Sequence, residues 1–140
     1  MDQPDPECGL DVAFAILGGK WKPLVLYYLA SGPRRFGELR RLVAGVSEKV
    51  LIQQLRELTM DGIVGRTDHH EVPPRVDYAI TDYGRSLADA LLPLCAWGNS
   101  NRTRVERSRR RQADNADEGL AAGGAKGTPL APGLRVPRRR

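Results

Sequence analysis

The chain has 140 residues, 41% of them hydrophobic, a formal charge of +5 and a pI near 9.6, which suits one modest domain with an appendage. Residues 1–100 hold 11 Lys+Arg against 13 Asp+Glu while residues 101–140 hold 11 against 4, so the basic pI says little about the first hundred residues. No apolar run approaches about 20 residues, the acidic N-terminus lacks the positive start of a signal peptide, and Cys8 and Cys95 are too few for a secreted disulfide framework; a soluble cytoplasmic protein without membrane contact is expected.

Residues 1–9, with Pro4, Pro6 and several acids, read as a loose arm. Leu10, Ala13, Phe14 and Leu17 then share one helical face, and Gly18 and Gly19 end that helix. In a second helix Trp21, Leu24, Tyr28 and Leu29 share a side, with Pro23 tolerated in the first turn because its missing N–H would have no partner there. Ser31, Gly32 and Pro33 break the chain.

Two short helices joined by a tight turn are predicted between Pro33 and Asp61. Phe36, Leu39, Leu42 and Val43 recur at helical spacing and leave Arg40 and Arg41 outside. Gly45 can take the left-handed conformation that closes a helix, and Ser47 can cap the next, with Glu48 in its first turn placed well against the helix dipole. In that helix Leu51, Leu55 and Leu58 stack on one side. Lys49, Gln53, Arg56 and Met60 form a stripe on the other. Lys and Arg can meet phosphates or guanine, Gln can pair with adenine, and Met can touch a thymine methyl. A recognition helix needs such a set, although any amphipathic surface helix carries similar residues on its wet face.

After Gly62 the period shifts towards two. Ile63, Val64, Arg66 and Thr67 form one predicted strand and Val76, Tyr78 and Ile80 another, with Pro73 and Pro74 stiffening the connection into a protruding tip. A hairpin directly after a recognition helix is a wing, here residues 68–76, and Arg75, His69 and His70 would face a DNA backbone or minor groove. As metal ligands the two histidines would need further His, Cys, Asp or Glu at workable spacing, and on a strand neighbours point to opposite faces, so no metal site is assigned.

Thr81 can cap a last helix whose Tyr83, Leu87, Ala90, Leu91 and Leu94 repeat every three or four residues, with Leu92, Ala96 and Trp97 widening its apolar surface and Pro93 expected to kink or interrupt it. That surplus fits a dimer that sets two recognition helices about 34 Å apart; a helix that only covers its own domain is the plainer account. From 102 to 140 an Arg-rich tail without apolar periodicity is expected to be disordered, either as a solvated extension or as a sequence-independent attractor of phosphates.

These pieces together closely resemble the HxlR-type winged helix-turn-helix transcriptional regulators. The resemblance is carried by Cys8, Gly18-Gly19-Lys20-Trp21-Lys22, Arg35-Phe36-Gly37-Glu38-Leu39-Arg40-Arg41, Ser47-Glu48-Lys49-Val50-Leu51, Gln53-Gln54-Leu55-Arg56-Glu57-Leu58 and Asp61-Gly62. It continues through Glu71-Val72-Pro73-Pro74-Arg75-Val76-Asp77-Tyr78, Thr81 and Gly84 to Leu94-Cys95-Ala96-Trp97-Gly98. It implies a fold that is mainly α with a small β-hairpin over residues 10–101, dimeric through its N- and C-terminal helices. Double-stranded DNA and a second copy of the chain are the implied partners, and no cofactor is implied. The candidate DNA contacts are Arg34, Arg35, Arg40, Ser47, Lys49, Gln53, Gln54, Arg56, His69 and Arg75. The candidate dimer residues are Leu10, Phe14, Leu87, Leu91, Leu94 and Trp97.

Some members of this family sense oxidants or electrophiles through an N-terminal cysteine, and Cys8 stands at the matching place, with Lys20 or Lys22 as the cation that would activate it. Gly9 replaces the proline usual after this cysteine. Cys95, on the apolar side of a helix, reads as packing. The effector, if there is one, is not legible.

Two other classes are alternatives: an enzyme with Cys8 as nucleophile and His69 or His70 as base, and a winged-helix module that binds protein. No phosphate loop, paired carboxylates or metal cluster supports the enzyme, and no catalytic residue is assigned.

Overall fold

Glycines and capping side chains divide the chain into short helices. The computed structural model describes residues 8–123, and its elements run α1 (Leu10–Leu17), α2 (Trp21–Leu29), β1 (Arg34–Arg35), α3 (Phe36–Leu42), α4 (Glu48–Met60), β2 (Val64–Asp68), β3 (Val76–Ile80) and α5 (Asp82–Gly123). Gly18 ends α1 with φ 58°, and its N–H donates to Phe14 O at 2.9 Å; a left-handed residue at that point is inexpensive only for glycine. Ser47 caps α4, its hydroxyl accepting from the Val50 N–H at 3.2 Å.

The chain divides into two units after Ala96. In the first, a core of Leu26, Leu29, Leu39, Leu51, Leu55 and Leu58, each at most 1% exposed, is closed below by Ile63 and Val64. The predicted face of α2 is turned only partly to the core: Leu29 is buried, and Trp21 and Tyr28 pack half-buried against it. Its buried stripe is Lys22, Val25, Leu26 and Leu29, whereas Leu24 is exposed. The helix is apolar nearly all round, so periodicity could not choose; packing of α2 on α4 and β3 chose. On α1 only Leu17 of the predicted face is buried, and Leu10 and Phe14 are exposed.

The expected hairpin is part of a three-stranded antiparallel sheet of order β1-β3-β2, with Val64 opposite Ile80 and Asp68 opposite Val76. The added strand, β1, sets Arg34 opposite Tyr78 and Arg35 opposite Asp77. Two arginines carry no strand pattern, and the pairing is made with residues more than forty positions away, so local periodicity is silent about it.

Thr81 caps α5 as expected, its hydroxyl accepting from the Gly84 N–H at 2.9 Å and donating to Gly62 O at 2.6 Å. Leu87, Ala88 and Leu91 then pack on the core. Pro93 does not interrupt the helix, which is assigned continuously to Gly123. Residues 102–123, expected to be disordered, are therefore helical. Arg, Glu, Gln and Ala are good helix formers, and neither Gly nor Pro occurs between 99 and 118. In the second unit these residues are exposed through position 122. Residues 1–7 and 124–140, where the rest of the arm and tail were expected, lie outside the described residues.

Gly84 is where α5 meets the α4–β2 junction. A Cβ there would collide with the Ile63 carbonyl, itself the acceptor of the Thr81 N–H at 3.1 Å. Gly84→Ala gains about 1 kcal/mol in helix propensity but forces the backbone apart at about 3 kcal/mol. The variant should lose about 2 kcal/mol net, read as a melting temperature lowered by roughly 10 °C; an unchanged melting curve would refute the close approach.

Candidate nucleic-acid interface

Leucine spacing positions α4. With Leu51, Leu55 and Leu58 held in the core, the opposite side must face outward, and Lys49, Gln53, Arg56 and Met60 are exposed there, Met60 by 80%. Gln54 is half-buried on the flank. Ile52, 42% exposed, lies on the same outward side and was not among the expected contacts. Its signal was present: an apolar residue on the wet face, three positions after Lys49 and four before Arg56. Glu48, Lys49, Ile52, Gln53 and Arg56 line a shallow hollow along the helix. A groove of about 410 Å³ between α4 and the sheet is lined by Ile52, Arg56, Met60, Arg66 and Tyr78, among others. Arg66 is a second cation that sequence reasoning passed over, exposed on β2 beside Arg56.

The arginines before α4 are not equivalent. Arg34 is taken up within the protein, donating from Nε to Tyr28 O at 2.9 Å and from Nη2 to Ser31 Oγ at 3.1 Å, with Glu38 at 3.8 Å. It ties the end of α2 to the start of α3. Arg35 precedes α3 with its N–H donated to Glu38 Oε1 at 3.3 Å, and its side chain is 57% exposed near Asp77. Arg40 Nη1 reaches Glu48 Oε2 at 3.3 Å, both side chains being more than half exposed, and so links α3 to the first turn of α4. Exposed pairs of this kind stabilise by well under about 1 kcal/mol, and they exchange partners readily.

At the wing, the expected free cations His69 and Arg75 converge on one carboxylate. Asp77 Oδ2 accepts from His69 Nε2 at 2.8 Å and from Arg75 Nη2 at 3.2 Å. The His69 hydrogen bond first, and the Arg75 guanidinium after it, hold the Asp77 carboxyl below its ordinary value of 3.8 against the opposing effect of burial. The wing is thus braced at its base, while His70, Glu71, Val72, Pro73 and Pro74 at the tip are exposed. His70 has φ 52° and its N–H donates to Asp68 Oδ1 at 2.9 Å. Among the described residues no three His, Cys, Asp or Glu side chains are grouped to hold a metal.

Cys8 is exposed just before α1. Neither ammonium expected beside it is paired with it: Lys20 lies 4.3 Å from the Trp21 ring centre, and Lys22, 6% exposed, is ion-paired to Glu57. Cys95 is exposed, where a packed position was expected, and lines an apolar groove of about 250 Å³ with Leu24, Tyr27 and Leu91. Of the residues expected at a dimer seam, Leu87 and Leu91 pack against their own core. Leu10, Phe14 and Leu94 are exposed in the first unit, and Trp97 is exposed in the second.

A capped, leucine-anchored helix preceded by a short one and followed by an antiparallel hairpin is a winged helix-turn-helix. The family model described as HxlR-like helix-turn-helix matches residues 16–106, and the chain belongs to that family. Among its relatives is the uncharacterized HTH-type transcriptional regulator YkvN of Bacillus subtilis, 48% identical over 91 residues, or 65% of this chain and 77% of that one. YtcD of the same organism, named in the same way, is 41% identical over 105 residues, covering 75% and 83%. Among solved structures, the redox regulator HypR in its reduced form matches with a TM-score of 0.67 at 40% identity over 71% of this chain and 99% of its own. Diamide-treated YodB from B. subtilis matches at 0.57 and 32%, over 71% and 95%. The chain is a transcriptional regulator of the helix-turn-helix type.

The Asp77 brace generates a pH dependence. A carboxyl whose folded value is depressed contributes stability above its unfolded value, and that contribution is lost as pH falls through the folded value. Urea midpoints of the wild type should therefore fall more steeply than those of Asp77→Asn between about pH 5 and pH 2. Parallel curves would show that the brace does not persist in solution.

Proposed function

We propose that the chain is a homodimeric, sequence-specific DNA-binding regulator that lays α4 in the major groove and sets the wing, residues 68–76, on the flanking backbone or minor groove. The observation that carries this reading is the exposure of Lys49, Gln53 and Arg56 along one side of a helix whose other side is locked into the core. Ile52 and Met60 add apolar contact suited to thymine methyls, and Arg66 and Arg35 add cations on either side. Arg34 has a structural task and drops out of the contact set, and Ser47 serves as a cap whose neighbouring N–H groups suit a phosphate. Arg75 and His69 shape the wing from its base, so the exposed tip is what meets DNA.

Exposed Leu10, Phe14, Leu94 and Trp97 support a dimer, since large apolar groups left in water favour a partner. Two copies would present two α4 helices to successive major grooves about 34 Å apart. The protein acts in the cytoplasm, where such DNA lies; no helix among the described residues is long and apolar enough to cross a membrane. The charge reversals Lys49→Glu and Arg56→Glu should together lower affinity for duplex by roughly 100-fold or more, in gel shifts on DNA upstream of the chain's own gene. Sedimentation should show an unchanged dimer; retained affinity would refute the assignment of α4.

The exposure of Cys8, and the names of HypR and YodB as a redox regulator and a diamide-treated regulator, support redox control as a second element of the reading. A thiol oxidant should change duplex binding by the wild type and leave Cys8→Ser unaffected. Equal responses in both would remove Cys8 from the mechanism.

A further inference from the structure

Lys22 is the one charged side chain among the described buried residues, and what it holds leads directly to the DNA-facing side of α4. It stands on the buried side of α2 with Val25, Leu26 and Leu29, and its ammonium is ion-paired with Glu57 Oε2 on α4. The other oxygen, Glu57 Oε1, accepts from Gln53 Nε2 at 3.1 Å. Both carboxylate oxygens are thus used, one turned inward to Lys22 and one outward to Gln53. The ammonium of Lys22, and after it the Gln53 amide, keep the Glu57 carboxyl below its ordinary value of 4.5, so Glu57 stays an ionised, acceptor-only group.

That constraint decides which way the Gln53 amide faces. A side-chain amide can usually turn its oxygen or its nitrogen outward, because its two ends are nearly isosteric. A carboxylate that can only accept obliges Gln53 to turn its NH2 towards Glu57 and its oxygen away. We infer that Lys22 and Glu57 are positioning residues which fix Gln53 with its amide oxygen towards the DNA, so that Gln53 selects an amino base, adenine through N6 or cytosine through N4, over guanine or thymine. The keto bases present O6 or O4 to the major groove at that place, and two acceptors facing each other repel. A buried lysine with no contact to DNA thereby sets one letter of the preferred sequence. This inference rests on the DNA-reading role proposed for α4.

The test uses the full-length chain, a randomised duplex library to select the preferred site, and a panel of duplexes changed one position at a time. Gln53→Ala identifies the position whose discrimination it removes. An amino base is expected there in the selected strand contacted by α4, favoured by roughly tenfold over the keto bases. Glu57→Gln, isosteric and partly exposed, must turn its own oxygen to the Lys22 ammonium and so presents its NH2 to Gln53, which draws the Gln53 oxygen inward. It should cut that preference to under about threefold while leaving the other positions and the salt slope unchanged, and it should change nothing further in a Gln53→Ala background. Lys22→Met should move the same position; if it fails to fold in a melting experiment, Glu57→Gln still decides. A keto base at the Gln53 position, an intact preference in Glu57→Gln, or an equal loss on every duplex would overturn the inference while DNA reading by α4 stands. Selection that enriches no sequence would sink both.

Discussion

The burial of Leu51, Leu55 and Leu58 on one side of α4 is the constraint from which the rest of the site follows. Each is at most 1% exposed, and a fully buried leucine is worth about 1.5–3 kcal/mol, so three of them outweigh every exposed ion pair on the opposite side. They fix the rotation of α4 about its axis. A slip by one residue would turn the helix by about 100° and carry a leucine into water, so the orientation of Lys49, Gln53 and Arg56 is a consequence of core packing. The Ser47 cap and the Arg40–Glu48 pair settle where the helix begins; the leucines settle which way it faces.

Charge follows the same division. The first hundred residues are slightly acidic, with 11 Lys+Arg against 13 Asp+Glu, and whatever attraction they exert on a polyanion comes from placement. Acids are spent internally: Glu38 on Arg34 and the Arg35 N–H, Glu57 on Lys22, and Asp77 on His69 and Arg75. The outward row of α4, with Arg66 next to it, keeps its cations exposed. The wing follows the opposite plan. His69 and Arg75 brace its base, and its tip is presented by exposed residues 70–74, two of them prolines.

Elements set by local rules were legible in the sequence. The α4 stripe, its Ser47 cap, the Thr81 cap and the two long strands all follow from period and capping chemistry, and they stand where expected. Residues governed by tertiary contacts were not. The face of α2 depends on what packs over it, and β1 exists only because β3 offers an edge. Arg34 looked like a surface cation until the end of α2 was seen to need it. Lys22 sat in a motif shared with the family, but nothing in its neighbours in sequence announces Glu57, thirty-five positions on. Residues 102–123 differ from expectation for another reason. Lack of apolar period argues against a packed helix, yet it does not argue against an exposed one built from good helix formers.

The proposed function depends on which groove α4 enters. Methylation interference on duplex from upstream of the chain's own gene reads this directly, because methyl groups at guanine N7 obstruct the major groove and those at adenine N3 the minor groove. Two patches of guanine N7 sensitivity about one helical turn apart are expected, with adenine N3 sensitivity confined to their flanks. Binding indifferent to N7 methylation, or blocked only through the minor groove, would contradict it.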